Sequence, residues 1–219
     1  MAQQQQAYSA HDGKKDRKGT IMAVYWLKEI TAPTSEPISL SLARLHLRLD
    51  TSGSPASHPD DAIVQSLITA VRQNAEDYTG LKIASGTFEV RADSFDDLEI
   101  SLQTWPVSGI TSVSYVDLDG ATQTLASSEY TLDTYTRPAR LKATTTFPAA
   151  KEVTVRFTAG FTDGQSPNQY PFPKSIESAM LLMLGHLYDN REAVSNIQSY
   201  ERPLGATYLL NPYRINLGL

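Results

Sequence analysis

The sequence contains no cysteine among its 219 residues, and this absence excludes several kinds of chemistry. A disulfide framework, a thiolate zinc site, an iron–sulfur cluster and a cysteine nucleophile all require thiols. Basic residues are also in deficit, since 19 Lys and Arg stand against 24 Asp and Glu, a formal net charge of -5. A net acidic chain is a poor candidate for a protein whose main task is to bind phosphates. No apolar run approaches the ~18 residues that a transmembrane helix needs, so we expect no membrane partner.

Catalytic signatures are missing as well. The sequence has no GxxxxGK[ST] loop, no GxSxG elbow, no GxGxxG and no HExxH. The run YVDLDG begins like a calcium loop, but Tyr115 and Ala126 occupy the first and twelfth ligand positions, which require oxygen ligands. Among the four histidines, His46 lies four residues from Asp50, which favours a local hydrogen bond. His186 lies on a predicted helix close to Asp189, which favours a structural role. We therefore predict no catalytic, cofactor-binding or metal-binding residues, and a protein that is not an enzyme.

Charge is unevenly distributed along the chain. Residues 1–21 carry +2, which leaves -7 for the remainder. This polar, glutamine-rich stretch predicts a disordered N-terminal extension. An alternative function class is a nucleic-acid-binding module that uses this basic arm and stacks bases on the two tryptophans and 11 tyrosines. The acidic remainder of the chain argues against it.

Helical periodicity predicts three helices, at about 39–49, 60–79 and 174–190. The second has carboxylates at its start and Gly80 after its last turn, as helix ends favour. The third has so many apolar positions, Leu182 included, that we expect it to be buried on most sides. The first could also be a strand, because leucines alternate along it; as a helix it would begin at Ser39 or Ser41.

Between about 82 and 160 the hydrophobic period changes to two, which indicates half-buried strands. Asp119-Gly120 predicts a tight hairpin turn, and Tyr130 and Leu132 predict a further short strand. Strands at intervals of about ten residues favour an antiparallel sheet, sandwich or small barrel over βαβ units. The predicted fold class is α+β, a small helical bundle with an inserted antiparallel β domain.

Residues 196–219 contain two prolines and two glycines, with a short helix possible around 204–211. The end of this segment is apolar and irregular, which suggests an extended C-terminal arm that docks on another surface. The alternative is that the arm folds back on its own subunit.

Several blocks of the sequence, in order, resemble the phage head–tail connector (adaptor or head-completion) family of long-tailed bacteriophages, in the branch with a β insertion between helices. The resemblance covers about residues 36–195 and is specific through the order of its blocks. These blocks are DDAIVQSLITAVRQNAEDYTGLKI, LQTWPVSGITSVSYVDLDGATQTL, SSEYTLD, RPARL, VTVRFTAGF and PFPKSIESAMLLMLGHLYDNREAV.

The resemblance implies a structural role in the virion, at the head–tail junction, after assembly in the bacterial host cytoplasm. Residues 22–195 would form the connector domain, assembled with copies of itself into a ring of about twelve subunits. The ring would lie beneath the portal protein, extend the channel for double-stranded DNA without recognising its sequence, and bind the next head-completion or tail protein. A stopper or tail terminator, one layer further down, is the other assembly role left open. The hypothetical portal-docking residues of the arm are Tyr208, Leu209, Leu210, Tyr213, Arg214 and Ile215.

Overall fold

The computed structural model describes residues 25–50, 52, 57–95, 99–162, 164, 169–190 and 204–215. Within these residues the chain has four α-helices and two antiparallel sheets, which confirms the α+β class. The N-terminal extension expected at 1–21 lies outside the described residues. So do parts of the C-terminal segment, 196–203 and 216–219.

The helices lie close to their predicted positions. The segment with alternating leucines is a helix, and the Ser39 hydroxyl caps it by accepting the Leu42 backbone N–H at 3.2 Å. The second helix ends at Gly80, which adopts φ +74° and donates its N–H to the Glu76 carbonyl at 2.8 Å. The bounds are α1 Leu40–Leu47, α2 Asp61–Thr79, α3 Lys174–Asp189 and α4 Leu204–Leu210.

The helices form a bundle in which α2 and α3 run in opposite directions. Near the end of α3, Tyr188 donates its hydroxyl to Asp60, just before the start of α2, at 2.6 Å. The expectation that α3 is buried on most sides is wrong, because Leu182 and Leu187 are exposed. Burial is confined to one face, formed by Ile176, Ala179, Met180, Met183 and Leu184.

The larger sheet has five strands in the order β1-β2-β8-β4-β5, and every neighbouring pair is antiparallel. Its first strand was not predicted, since the β region was expected only from residue 82. The side chains of residues 27–30 are all exposed, so no buried alternation marks this strand. The bounds are β1 Tyr25–Thr31, β2 Gly86–Ala92, β3 Glu99–Ser101, β4 Val107–Val116, β5 Thr122–Thr124, β6 Tyr130–Asp133, β7 Arg140–Ala143 and β8 Glu152–Ala159.

The smaller sheet has the order β3-β7-β6 and includes the short strand predicted at Tyr130 and Leu132. The hairpin predicted at Asp119-Gly120 joins β4 to β5. There the Asp117 carboxylate accepts the backbone N–H groups of Asp119 at 3.0 Å and Ala121 at 2.9 Å. This carboxylate therefore closes a turn in the segment that resembles a calcium loop.

One hydrophobic core joins the bundle to the sheets. Along β8 the buried side chains of Val153, Val155 and Phe157 alternate with outward-facing ones, as predicted. At the junction, the buried Glu76 carboxylate accepts the backbone N–H groups of Ile83 at 2.8 Å and Ala84 at 3.2 Å. Helix α2 is thus hydrogen-bonded to the segment that leads into β2.

Candidate interaction surfaces

The described part of the C-terminal segment is folded back on its own subunit rather than extended. Leu210 is 0% exposed and packs in the core on the inner face of α4. The Ile215 backbone N–H donates to the Thr79 carbonyl at the end of α2 at 2.7 Å. The Tyr213 hydroxyl lies 2.8 Å from that of Ser175 at the start of α3. The physical reason is that the apolar side chains find their partners within the same chain.

Other side chains of the proposed docking set lie nearer the surface. Tyr208 is 78% exposed. Leu209 is half-buried, and Arg214 is exposed, with its guanidinium 4.9 Å from the centroid of the Tyr78 ring. Tyr78 also donates its hydroxyl to Asn211. The segment therefore offers only part of the predicted set to another protein, and portal docking through those exposed side chains stays a prediction.

Three apolar side chains form an exposed surface on α3 and α4, which we call the α3–α4 apolar surface: Leu182, Leu204 and Tyr208. Leu204 is 81% exposed and precedes Tyr208 by one helical turn, so both lie on the same face of α4. A Cβ placed on Gly205 would lie 3.6 Å from Leu182 Cδ1, which sets α3 directly beside this face. Contiguous exposed apolar side chains mark interaction sites. Leu182 and Leu204 were not predicted as interface residues, although the four-residue spacing of Leu204 and Tyr208 places them on one face of a helix.

An open pocket of about 320 Å³ lies between α2 and the segment that leads into α1. We call it the α1–α2 pocket. Ile38 and Ile68 in its wall are fully buried core residues, whereas Glu36 and Gln65 are polar. The lining includes Glu36, Ile38, Leu40, Gln65, Ile68 and Thr69.

A buried arginine fixes one wall of this pocket. Arg72 on α2 donates to the carboxylates of Glu36 at 2.8 Å and Glu76 at 3.1 Å, and the Thr69 hydroxyl donates to Glu36 at 2.9 Å. Burial lowers the pKa of Arg72, but the two carboxylates raise it by more, so it lies above its ordinary value. The network of one arginine and two carboxylates carries a formal charge of -1 and ties the segment before α1 to α2. Its members at 36 and 72 are too far apart in sequence for periodicity to reveal the pair.

The adjacent carboxylates of Asp60 and Asp61 at the start of α2 have structural roles. Arg44 of α1 donates to Asp61 at 2.7 Å, and this hydrogen bond, followed by one from the His58 backbone N–H, lowers the pKa of Asp61. Asp60 instead accepts from Tyr188. The two carboxylates thus have separate partners rather than forming a dyad. Another adjacent acidic pair in the sequence, Asp96 and Asp97, lies outside the described residues.

The face of the larger sheet that points away from the core is polar. Glu89 is nevertheless buried there, because the side chains of Arg156 and Arg91 cover it, with N–O distances of 2.8 Å and 3.2 Å. Burial raises the pKa of Glu89, but the hydrogen bonds from Arg156 and Arg91 lower it by more, so the carboxylate titrates below its ordinary range. On β8, Thr154 and Thr158 share this face with Arg156 by the alternation of the strand. The outer face of the larger sheet is thus a polar surface whose charged side chains pair with one another.

His186 and Trp105 each have a partner close by in the structure. His186 Nδ1 lies 3.4 Å from Asn190 Nδ2. Trp105, a candidate for base stacking, is buried and donates its indole N–H to the Thr134 carbonyl at 3.0 Å, so that prediction is wrong for this residue.

In the described ranges, no three His, Asp or Glu side chains are grouped so that they could hold a metal ion. None of the helices described is both long and apolar enough to cross a membrane.

A helical bundle joined to two antiparallel sheets through one core is a fold that this chain shares with chains of solved gene transfer agent particles. A chain from the neck of an empty gene transfer agent (GTA) particle, computed with C6 symmetry, is 23% identical. It aligns with a TM-score of 0.71 over 89% of this chain and 97% of that chain. A chain from the virion of a native gene transfer agent particle is 24% identical, with a TM-score of 0.68 over 88% and 97%.

A chain from the neck of a native GTA particle, computed with C12 symmetry, is 22% identical, with a TM-score of 0.66 over 89% and 97%. At these identities the likeness shows the fold alone. No family model and no curated protein matches the chain.

Proposed function

We propose that this chain is a structural protein of the neck of a tailed phage or a phage-like particle. The observation that carries the proposal is the shared fold, which extends over 97% of the neck chains and up to 89% of this one. Such coverage leaves little of either chain outside the common architecture. The order of the sequence blocks supports the same class of protein independently. The role is one of assembly, without catalysis.

Within the neck, we assign the chain to the adaptor layer, as a ring beneath the portal protein that continues the DNA channel. Two solved relatives belong to necks computed with C12 and C6 symmetry. A closed ring needs two unlike, complementary surfaces on each subunit, because its contacts are heterologous. The α3–α4 apolar surface and the α1–α2 pocket are such unlike surfaces. The net charge of -7 outside residues 1–21 suits a channel that DNA must pass through without being bound.

Docking of the portal through the C-terminal segment belongs to this proposal. Exposure in the subunit favours some of the proposed docking residues over others. Leu210 is buried in its own subunit, whereas Arg214 is exposed and Leu209, Tyr213 and Ile215 are half-buried. The opposite side of the ring would bind the next head-completion or tail protein.

The proposal is tested by imaging the purified full chain, alone and mixed with the portal protein of its own particle, by negative-stain electron microscopy. We expect rings, of about twelve subunits, stacked on the portal. Free monomers at micromolar concentration in the presence of portal would overturn the proposal. Rings that stack on tail-tube protein but not on portal would place the chain one layer lower, as a stopper or tail terminator.

The nucleic-acid alternative makes a separate prediction. It requires DNA affinity that falls steeply with salt and is lost when residues 1–21 are removed. The proposed role predicts no such binding in a filter or polarisation assay at low salt.

A further inference from the structure

We propose that neighbouring copies of this chain contact each other by seating Tyr208 of one copy in the α1–α2 pocket of the next. Leu182 and Leu204 would pack around the rim of that pocket. This inference rests on the proposed ring and deepens it, because it names the surfaces that close the ring. It also assigns Tyr208 to subunit contact rather than to portal docking.

The geometry around α2 places the two surfaces on different flanks of one subunit. Successive residues of an α-helix are about 100° apart, so Gln65 and Thr69, which line the pocket, lie about 140° and 180° around α2 from Tyr78. Tyr78 contacts Asn211 and Arg214, immediately after α4. The pocket and α4 therefore lie on nearly opposite flanks of α2. A contact that repeats from copy to copy around a ring needs this arrangement.

The pocket suits a tyrosine chemically. Its volume of about 320 Å³ is at the lower end of the range of about 300–1,000 Å³ for small-molecule pockets. The half-buried side chain of Leu40 can receive the aromatic ring, and the polar groups of Glu36 and Gln65 can receive the hydroxyl. Tyrosine is enriched at interfaces because it joins an apolar body to a polar end. An exposed tyrosine flanked by two leucines has the composition of an interface anchor.

The charges of the two flanks are complementary. Helix α4, Leu204–Leu210, contains no charged residue, and Arg214 follows it as an exposed cation. The pocket flank carries the network of Arg72 with two carboxylates, of formal charge -1. Opposite charge at the two sides of a contact favours association and fixes its orientation. In a contact between two copies of this chain, the exposed Arg214 of one copy would therefore face the net negative pocket flank of the other.

The absence of cysteine from the chain permits a direct cross-linking test. The double variant Gln65→Cys with Tyr208→Cys should form disulfide-linked multimers when the assembled protein is oxidised, as a ladder on non-reducing gels that a reductant removes. A disulfide within one subunit is excluded by the opposite flanks, because it needs Cα atoms within about 7 Å. The matched control pairs Gln65→Cys with Tyr135→Cys, because Tyr135 is 96% exposed in the β part of the chain. This control should give no ladder.

A second variant measures the strength of the contact. Tyr208→Ala should weaken self-association about tenfold or more, as truncation of a central interface tyrosine does. Tyr135→Ala should leave self-association unchanged. Because both side chains are exposed in the subunit, neither change should disturb folding.

The outcomes separate this inference from the ring itself. Failure of the unsubstituted chain to assemble, with or without portal, overturns the ring and this contact with it. Rings that form normally, show no ladder for the 65/208 pair and tolerate Tyr208→Ala overturn the contact alone. Rings that form with Tyr208→Ala but no longer bind portal overturn it too, and give the α3–α4 apolar surface to the portal.

Discussion

Leu210 provides the sharpest test of whether the C-terminal segment is part of the folded subunit. Its side chain is 0% exposed and packs against the core together with the buried Ala206 of the same helix. Truncation of a buried leucine to alanine costs about 2–5 kcal/mol, depending on how far the surroundings collapse. Because α4 is a short surface helix that can move inward, we expect Leu210→Ala to cost about 2–3 kcal/mol.

In a chain of this size, each kcal/mol lowers Tm by about 2–4 °C, so Leu210→Ala should lower Tm by about 4–12 °C. The assay is thermal and urea unfolding of the monomer, followed by circular dichroism. Tyr208→Ala on the exposed face of α4 is the matched control, with an expected change within about 0.5 kcal/mol. A variant that ends at residue 203 gives the upper limit of this loss in the free energy of unfolding. Leu210→Ala cannot destabilise the subunit more than loss of the whole docked segment does.

Equal Tm values and equal urea midpoints for Leu210→Ala and Tyr208→Ala would refute this prediction. That result would mean that the segment contributes nothing to the monomer and is available to other proteins. A large loss of stability in Leu210→Ala, together with normal ring formation by the same variant, would separate the stabilising role of this side chain from any role in docking.

Two further predictions concern the β part. Gly160→Ala should cost about 2–5 kcal/mol, because Gly160 has φ +127° and an added Cβ would lie 2.5 Å from the Ala84 carbonyl oxygen. Gly109→Ala, where an added Cβ meets no atom within 4 Å, is the control, and equal urea midpoints would contradict the prediction. Glu89 has a lowered pKa in the folded state, so its contribution to stability is present above its ordinary pKa of about 4.3 and is lost as the pH falls through the lower value. Tm measured between pH 7 and pH 2.5 should therefore fall less for Glu89→Gln than for the unsubstituted chain, and parallel curves would refute the assignment.

Local patterns were enough to predict the elements whose formation depends on nearby residues. Helix α2 was recognised because its apolar positions recur with the period of the helix and Gly80 follows its last turn. The alternation in β8 and the Asp119-Gly120 turn were readable for the same reason, since each is decided within a few residues. The α+β class follows from these elements in their order along the chain.

Strand β1 could not be predicted in this way. Its exposed side chains carry no alternation of burial, and its partner β2 begins more than fifty residues later, at Gly86. Pairing between such distant segments is decided by the folding of everything between them. The same holds for Arg72 and Glu36, which meet only when the segment before α1 packs on α2.

Composition and short-range periodicity were sufficient to predict an acidic, cysteine-free α+β chain with three helices and a β region, because both depend only on residues that are close in sequence. The burial of Leu210 within its own subunit and the exposure of Leu182, Leu204 and Tyr208 became visible only once the helices were packed together. The physical reason is that apolar composition does not say which side of a helix finds a partner within the chain. Which side of a helix is buried depends on how the helices pack, and the side that stays exposed is the surface available for assembly.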